Sequence, residues 1–177
     1  MTTHRRENFG QPLEAICAAL LDLVGQHDDI EILMPVHPNP SVAGTVYRML
    51  RGIPRITLCA PMDYAAFVEA LQQAYLVLTD SGGLQEEAPA LGKPVLVMRT
   101  ETERPEAITA GVARMVGTRR SDIVDSVNDL LADSEAYARM SRGISPYGDG
   151  HAASRIVTGL SAFLRADAQL NHASRPD

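Results

Sequence analysis

The residues able to do chemistry fall in a few short clusters. Ser81-Gly82-Gly83 follows the run Leu76-Val77-Leu78-Thr79-Asp80 and opens a helical pattern. Glycines there let an anion approach the backbone, and a helix start presents unpaired N–H groups with a favourable dipole, so the turn reads as a phosphate site. The competing reading is a tight strand-to-helix turn capped by Ser81. Glu86 and Glu87 lie one turn further in. A carboxylate there is a poor neighbour for phosphate but a good acceptor for sugar hydroxyls, against ordinary charge placement in a first helical turn. His4 stands beside Arg5 and Arg6. An imidazole titrating near neutrality can protonate a departing phosphate that the arginines neutralise; a solvated basic patch is the alternative. His37 in Pro35-Val36-His37-Pro38-Asn39-Pro40 reads, alone, as a loop histidine. Arg104 in Thr102-Glu103-Arg104-Pro105-Glu106 either reaches a phosphate or sugar or makes a surface salt bridge. The histidines are dispersed and no cysteine pair has ligand spacing, so no metal site is expected. Ser81 reads as an anion-site residue rather than a nucleophile.

These clusters need a scaffold, and the pattern between them alternates strand with helix. Leu13, Ile16, Cys17, Leu20, Leu23 and Val24 recur at helical spacing behind Pro12. Apolar runs at Glu31–Val36, Ile56–Cys59, Leu76–Leu78, Val95–Met98 and Ala113–Val116 predict strands. Helices are predicted from Asn39-Pro40-Ser41, from the cap Asp63 with Phe67, Leu71 and Ala74 on one face, and from Leu84 to Leu91 with a stop at Gly92. Pro105–Ala110, the stripe Ile123, Val127, Leu130 and Leu131, the segment around Tyr137 and Met140, and Ala152–Leu164 complete the set. Such alternation predicts an α/β fold, a Rossmann-like doubly wound parallel sheet. Met1-Thr2-Thr3 then reads as the stub of a truncated first strand. With the strand order 3-2-1-4-5-6, that strand is central, and ligands bind at the carboxyl ends of the strands where the order reverses. The loop after strand one, His4 to Gly10, and the loop after strand four, Asp80 to Gly83, therefore face one crevice. A missing central strand also reads as a truncated gene product or a fragment.

Composition sets the bounds. The 177 residues carry 16 Lys+Arg against 22 Asp+Glu, a formal charge of −6, with 45% hydrophobic residues. A chain of this size buries roughly 70% of its unfolded surface, enough for one core. The acidic balance argues against a nucleic-acid partner or a polybasic membrane anchor. No apolar run approaches the ~18 residues of a membrane span, and Arg5-Arg6 leads into Glu7-Asn8 rather than into a signal-like apolar stretch. Cys17 and Cys59 read as two buried thiols in a reducing compartment, which makes the cytoplasm the expected location. Residues 1–164 form the expected domain, and 165–177 read as a disordered tail.

Four motifs, Thr3-His4-Arg5-Arg6-Glu7-Asn8-Phe9-Gly10, Pro35 to Pro40, Thr79-Asp80-Ser81-Gly82-Gly83-Leu84-Gln85-Glu86-Glu87-Ala88-Pro89, and Met98-Arg99 through Glu106-Ala107, occur in that order, followed by Pro146-Tyr147-Gly148-Asp149-Gly150. Together they resemble the non-hydrolysing UDP-N-acetylglucosamine 2-epimerases over nearly the whole chain to about Leu164. The resemblance implies the carboxyl-terminal, UDP-binding half of a glycosyltransferase-B architecture. It implies an isomerase that eliminates UDP to a 2-acetamidoglucal and re-adds it after inversion at carbon 2, with no cofactor. By motif, Ser81, Gly82 and Gly83 hold the diphosphate and Glu87 the ribose. Phe67 packs on uracil with the backbone at Met62 reading its edge, His4 assists departure, and Arg104 lines the substrate side. Arg5 and His37 match a second, activating UDP-N-acetylglucosamine site of some members. Met62 departs from the polar residue common at its place. The family's carboxylates for proton transfer belong to an amino-terminal half that has no counterpart in this sequence. A complementing chain or that missing domain, and a homodimer, are the implied partners. A glycosyltransferase domain and a non-catalytic nucleotide-binding module or half of a split enzyme are the other readings.

Overall fold

Leu13, Ile16, Cys17, Leu20, Leu23 and Val24 form one buried stripe along helix α1 (Gln11–Gln26), and that stripe organises the core. We describe residues 1–173 of a computed structural model, with side chains to residue 165. They divide into two units, Met1–Pro146 and the segment from Tyr147 onward.

In the first unit, five short parallel strands follow the predicted runs: β1 (Ile32–Pro35), β2 (Ile56–Cys59), β3 (Val77–Thr79), β4 (Val95–Val97) and β5 (Ala113–Met115). β1 pairs with β2, while β3, β4 and β5 form a separate ladder in that order. Between the two ladders lies the chain start. Met1 donates its ammonium to the Leu33 carbonyl at 2.7 Å, and the Thr2 N–H donates to the Leu78 carbonyl at 3.0 Å. Thr2 thus bridges Thr79 in parallel sense, and Met1–Thr2 occupies the central position that the 3-2-1-4-5-6 order assigns to strand one.

The remaining helices are α2 (Pro40–Leu50), α3 (Tyr64–Gln73), α4 (Gly82–Ala90), α5 (Pro105–Thr109), α6 (Arg120–Ala132) and α7 (Ser134–Met140). Local chemistry starts several of them. The Asn39 side chain accepts from the Ser41 N–H at the head of α2, and Asp63 accepts from the Ala66 N–H at the head of α3. α1 packs between α2 and α6. Leu78 and Leu96 point into that layer, whereas Val77, Val95 and Val97 are buried outside that core cluster, the period-two alternation of a sheet covered on both faces. α4 packs on β3 and β4 and against α5.

Three expectations change. Cys17 is buried, and burial pushes its thiol pKa up to about 11, but Cys59 is only half-buried because it ends its strand at the sheet edge. α4 begins at Gly82 rather than Leu84, since glycine's missing side chain leaves the helical backbone accessible and does not forbid it. In the second unit α8 runs Ala152–Ala173, past Leu164 into the segment read as a tail; residues 174–177 lie outside the described residues. Among the described residues no helix is long and apolar enough to cross a membrane.

Candidate functional site

The crevice is assembled around one carboxylate. Asp80 leaves the carboxyl end of β3 and is completely buried. Its oxygens accept from the Thr3 hydroxyl at 2.8 Å, from the backbone N–H of His4 at 3.0 and 3.1 Å, from that of Arg5 at 3.0 Å, and from Asn8 Nδ2 at 3.0 Å. His4 Nδ1 lies 3.1 Å from Asp80 Oδ1. Burial alone would raise the Asp80 pKa. The hydrogen bonds from the His4 ring, the Arg5 and His4 backbone and Thr3 overcome that and hold it down at about 2. Asn8 donates again to the Met98 carbonyl at 3.1 Å, pinning the 3₁₀ turn Arg6–Asn8 over the ends of β3 and β4. Asp80 therefore fixes the His4–Asn8 turn beside the anion turn that begins at the next residue.

Ser81 is the N-cap residue of α4, but its side chain makes no capping hydrogen bond. Its N–H donates to Thr79 Oγ1 at 2.9 Å, and Thr79 Oγ1 in turn lies 2.7 Å from Thr2 Oγ1. The capped-turn alternative thus loses its side-chain bond, and the first turn of α4 has no side-chain cap from Ser81. Gly82 matters for what stands next to it: a Cβ there would meet Arg5 Nη2 at 3.5 Å. Arg5 also lies 3.7 Å from Glu103, and its Nε is the buried side-chain atom without a hydrogen-bond partner among the described residues. A Cβ at Gly83 would meet Glu87 Oε1 and Ser81 Oγ, each at 3.9 Å, so Glu87 folds back toward the turn.

The histidines converge. His4 and His37 stack with ring centroids 6.0 Å apart at 24°, although one leaves the central position of the sheet and the other follows β1. With Nδ1 engaged by Asp80, Nε2 is the His4 nitrogen left for a ligand. Arg104 forms the salt bridge that was its alternative reading, to Glu86, and its N–H donates to Thr102 Oγ1 at 3.0 Å. Thr102 donates to the buried Gln85 side chain at 2.6 Å, which ties the Arg104 loop to α4. Phe67 lines an apolar cavity together with Leu84 of α4, and Met62 precedes α3 beyond the end of β2. Met62 and Phe67 take no part in the hydrogen bonds that tie the Thr3–Asn8 turn to Asp80.

Sequence reasoning passed over Asp80, Asn8 and Arg99. Arg99 is nearly buried and donates to Glu7 at 2.6 Å and to Glu103 at 2.6 and 3.1 Å; these pairings push its pKa up, the bond to Glu103 most, and hold Glu103 down at about 2. It buttresses the two loops rather than presenting charge to a ligand. The available signal for Asp80 was a carboxylate one residue beyond the apolar run Leu76-Val77-Leu78, because a charge that close to a buried strand must be paired. Among the described residues no group of three His, Cys, Asp or Glu side chains is arranged to hold a metal ion.

Comparison with known proteins matches this arrangement. The sequence model of the UDP-N-acetylglucosamine 2-epimerase family covers residues 1–161. A probable UDP-N-acetylglucosamine 2-epimerase of Ralstonia nicotianae is 53% identical over 164 residues, 93% of this chain and 44% of that protein. The UDP-N-acetylglucosamine 2-epimerase of Escherichia coli is 54% identical over 160 residues, 90% of this chain and 43% of its own length. Among solved structures, the UDP-GlcNAc 2-epimerase of Neisseria meningitidis bound to UDP-GlcNAc superimposes with a TM-score of 0.88 at 39% identity, covering 91% of this chain and 43% of that one. The chain spans under half the length of these relatives. Since the match runs unbroken from the His4 turn through every motif that faces the crevice, the chain belongs to the UDP-N-acetylglucosamine 2-epimerase family.

Proposed function

We propose that this chain is the UDP-binding half of a UDP-N-acetylglucosamine 2-epimerase. The observation that carries the reading is the Asp80 hub, which holds His4 and Arg5 against the head of α4. In this reading the diphosphate sits at Ser81, Gly82 and Gly83, on the Ser81 hydroxyl and the N–H groups of the two glycines, with the Arg5 guanidinium beside it. Glu87 accepts from the ribose hydroxyls, Phe67 packs on uracil, the Met62 backbone reads its edge, and Arg104 faces the sugar.

The chemistry follows from that placement. A carboxylate of the amino-terminal half takes the proton from carbon 2 as the bond between carbon 1 and the phosphate oxygen breaks, leaving the 2-acetamidoglucal and UDP. Charge accumulates on the departing phosphate, where a helix start, an arginine and a proton from His4 Nε2 stabilise it without reorganising. Holding UDP in place then lets it return after a proton reaches the opposite face of carbon 2. Arg5 and His37 carry over as contacts for an activating second UDP-N-acetylglucosamine. Both abut the His4 turn, so a ligand there bears directly on the reacting imidazole. The reading includes a cytoplasmic location, an amino-terminal half as partner and assembly as a homodimer.

Calorimetry on the 177-residue chain tests the nucleotide assignment. Glu87→Ala removes the ribose contact alone, so UDP binding weakens by about tenfold or more while inorganic phosphate binding stays unchanged. Equal loss for both ligands would overturn the assignment of Glu87 to the sugar.

A further inference from the structure

The two oxygens of Asp80 have different partners. Oδ2 accepts from the Thr3 hydroxyl at 2.8 Å, from the His4 and Arg5 backbone N–H groups at 3.0 Å each, and from Asn8 Nδ2 at 3.0 Å. These four donors fill that oxygen and tie the His4–Asn8 turn to the end of β3. Oδ1 receives only a share of the His4 N–H, at 3.1 Å, and otherwise faces His4 Nδ1 at 3.1 Å. Asp80 is completely buried, so the imidazole is the chief donor that Oδ1 has. Burial raises the Asp80 pKa, but the hydrogen bonds from the His4 ring and the turn bring it down to about 2, and the carboxylate is ionised near neutrality. An ionised oxygen only accepts, so the His4 ring carries a proton on Nδ1. The neighbouring ring is held the other way. The Asn39 N–H donates to His37 Nδ1 at 3.2 Å, which leaves the His37 proton on Nε2. Two stacked imidazoles, 6.0 Å apart, thus hold opposite tautomers.

We propose that Asp80 is a positioning residue for the proton on His4: Oδ2 fixes the turn, while Oδ1 keeps one proton on Nδ1 and reserves Nε2 for exchange with the ligand. This rests on the reading of His4 as the proton donor to departing UDP. In the charged ring both nitrogens carry protons, and the carboxylate balances the positive charge. As the bond between carbon 1 and the phosphate oxygen breaks, that oxygen keeps the electron pair and takes the proton from Nε2. The ring is left neutral with its remaining proton already on Nδ1, and the Nε2 lone pair faces the protonated phosphate. On re-addition the phosphate oxygen attacks carbon 1 and returns its proton to Nε2. The ring neither flips nor changes tautomer between the two halves of the reaction, so neither step waits on reorganisation.

The same partition makes Asp80→Asn a selective variant. Its carbonyl oxygen takes the Oδ2 position, because the reversed amide would set its own N–H groups against four donors. The amide nitrogen then stands at the Oδ1 position and donates to the ring. Nδ1 becomes the acceptor, and the His4 proton moves to Nε2.

Long-range proton–nitrogen NMR of the nitrogen-labelled 177-residue chain at alkaline pH reads both rings. The expected pattern is a proton on Nδ1 of His4 and on Nε2 of His37. In Asp80→Asn the His4 proton should move to Nε2 while His37 stays as it was. Asn8→Ala removes one Oδ2 donor, so it should lower the melting temperature without moving the tautomer. A His4 proton on Nε2 in the unsubstituted chain, or no change in Asp80→Asn, would overturn the proposal. If Asp80→Asn fails to fold, the unsubstituted chain and Asn8→Ala still decide it. In a fusion behind the amino-terminal half of a close relative, Asp80→Asn should lower kcat by ~10²-fold or more while calorimetric UDP affinity is retained. Loss of both together would make Asp80 a structural anchor only. An inactive parent fusion would count against the epimerase reading, and the tautomer would still decide the role of Asp80.

Discussion

At the scale of the residue, Asp80 is where stability and chemistry meet. A completely buried carboxylate is tolerable only when donors surround it, and the Thr3–Asn8 turn supplies them. Its pKa falls from 3.8 to about 2 on folding, so the folded state favours the ionised form. That preference contributes about 2 kcal/mol, present in full above the unfolded carboxylate range near pH 4 and lost as pH falls through about 2. Urea unfolding followed from pH 6 down to pH 2 should show this loss, and Asp80→Asn should remove this part of the acid dependence while lowering stability at pH 6 by roughly 2 kcal/mol. A variant whose stability matched the parent at pH 6 would mean that the turn holds itself. The partners of Asp80 are not legible in Thr79-Asp80-Ser81, because the turn that lands on it comes from residues 72 to 77 positions away. The turn Ser81-Gly82-Gly83 at the head of α4 was legible, since it is local to three consecutive residues.

Elements show the same division between local and distant causes. Gly92 follows α4 in the left-handed region at φ 71°, and a Cβ there would lie 3.2 Å from the Ser141 carbonyl oxygen. Its N–H donates to the Pro89 carbonyl at 3.0 Å, closing the helix. Gly92→Ala should therefore cost about 1–2 kcal/mol from conformation alone, and more if the Ser141 backbone must move. Gly25, inside α1, has open space around the Cβ position and helical backbone. Gly25→Ala should stabilise the chain by up to about 1 kcal/mol. Thermal unfolding of both variants checks the pair, and opposite signs are the expected result. The stop at Gly92 was readable from the glycine and the proline beyond it. The clash with Ser141 was not, because α7 reaches that place only through the tertiary fold.

For the whole molecule, the proposed reaction needs groups on both sides of the sugar. The 177-residue chain alone should not interconvert the two UDP-sugars, and a fusion behind the amino-terminal half of a close relative should restore turnover, followed by proton NMR. Family-like turnover by the chain alone would show that the acid–base groups at carbon 2 lie within it. In the active fusion His4→Asn should lower kcat by ~10²-fold or more, the scale of a positioned proton donor. An unchanged rate would leave His4 as a structural partner of Asp80 only.

The sequence by itself determined the α/β class, the helix stripes, the caps Asn39 and Asp63, the glycine turn that opens α4 and the family, because each rests on residues close together in the chain. Strand order, once assumed, also put the His4 and Ser81 loops at one crevice. What only the tertiary structure decided are the contacts within that crevice: Asp80 under the His4 turn, His4 on His37, Arg99 between Glu7 and Glu103, and Arg104 on Glu86. Topology brings loops to the same sheet edge. Which donor meets which acceptor there depends on register, burial and the need to pair every buried charge, and those are settled only when the ladders close.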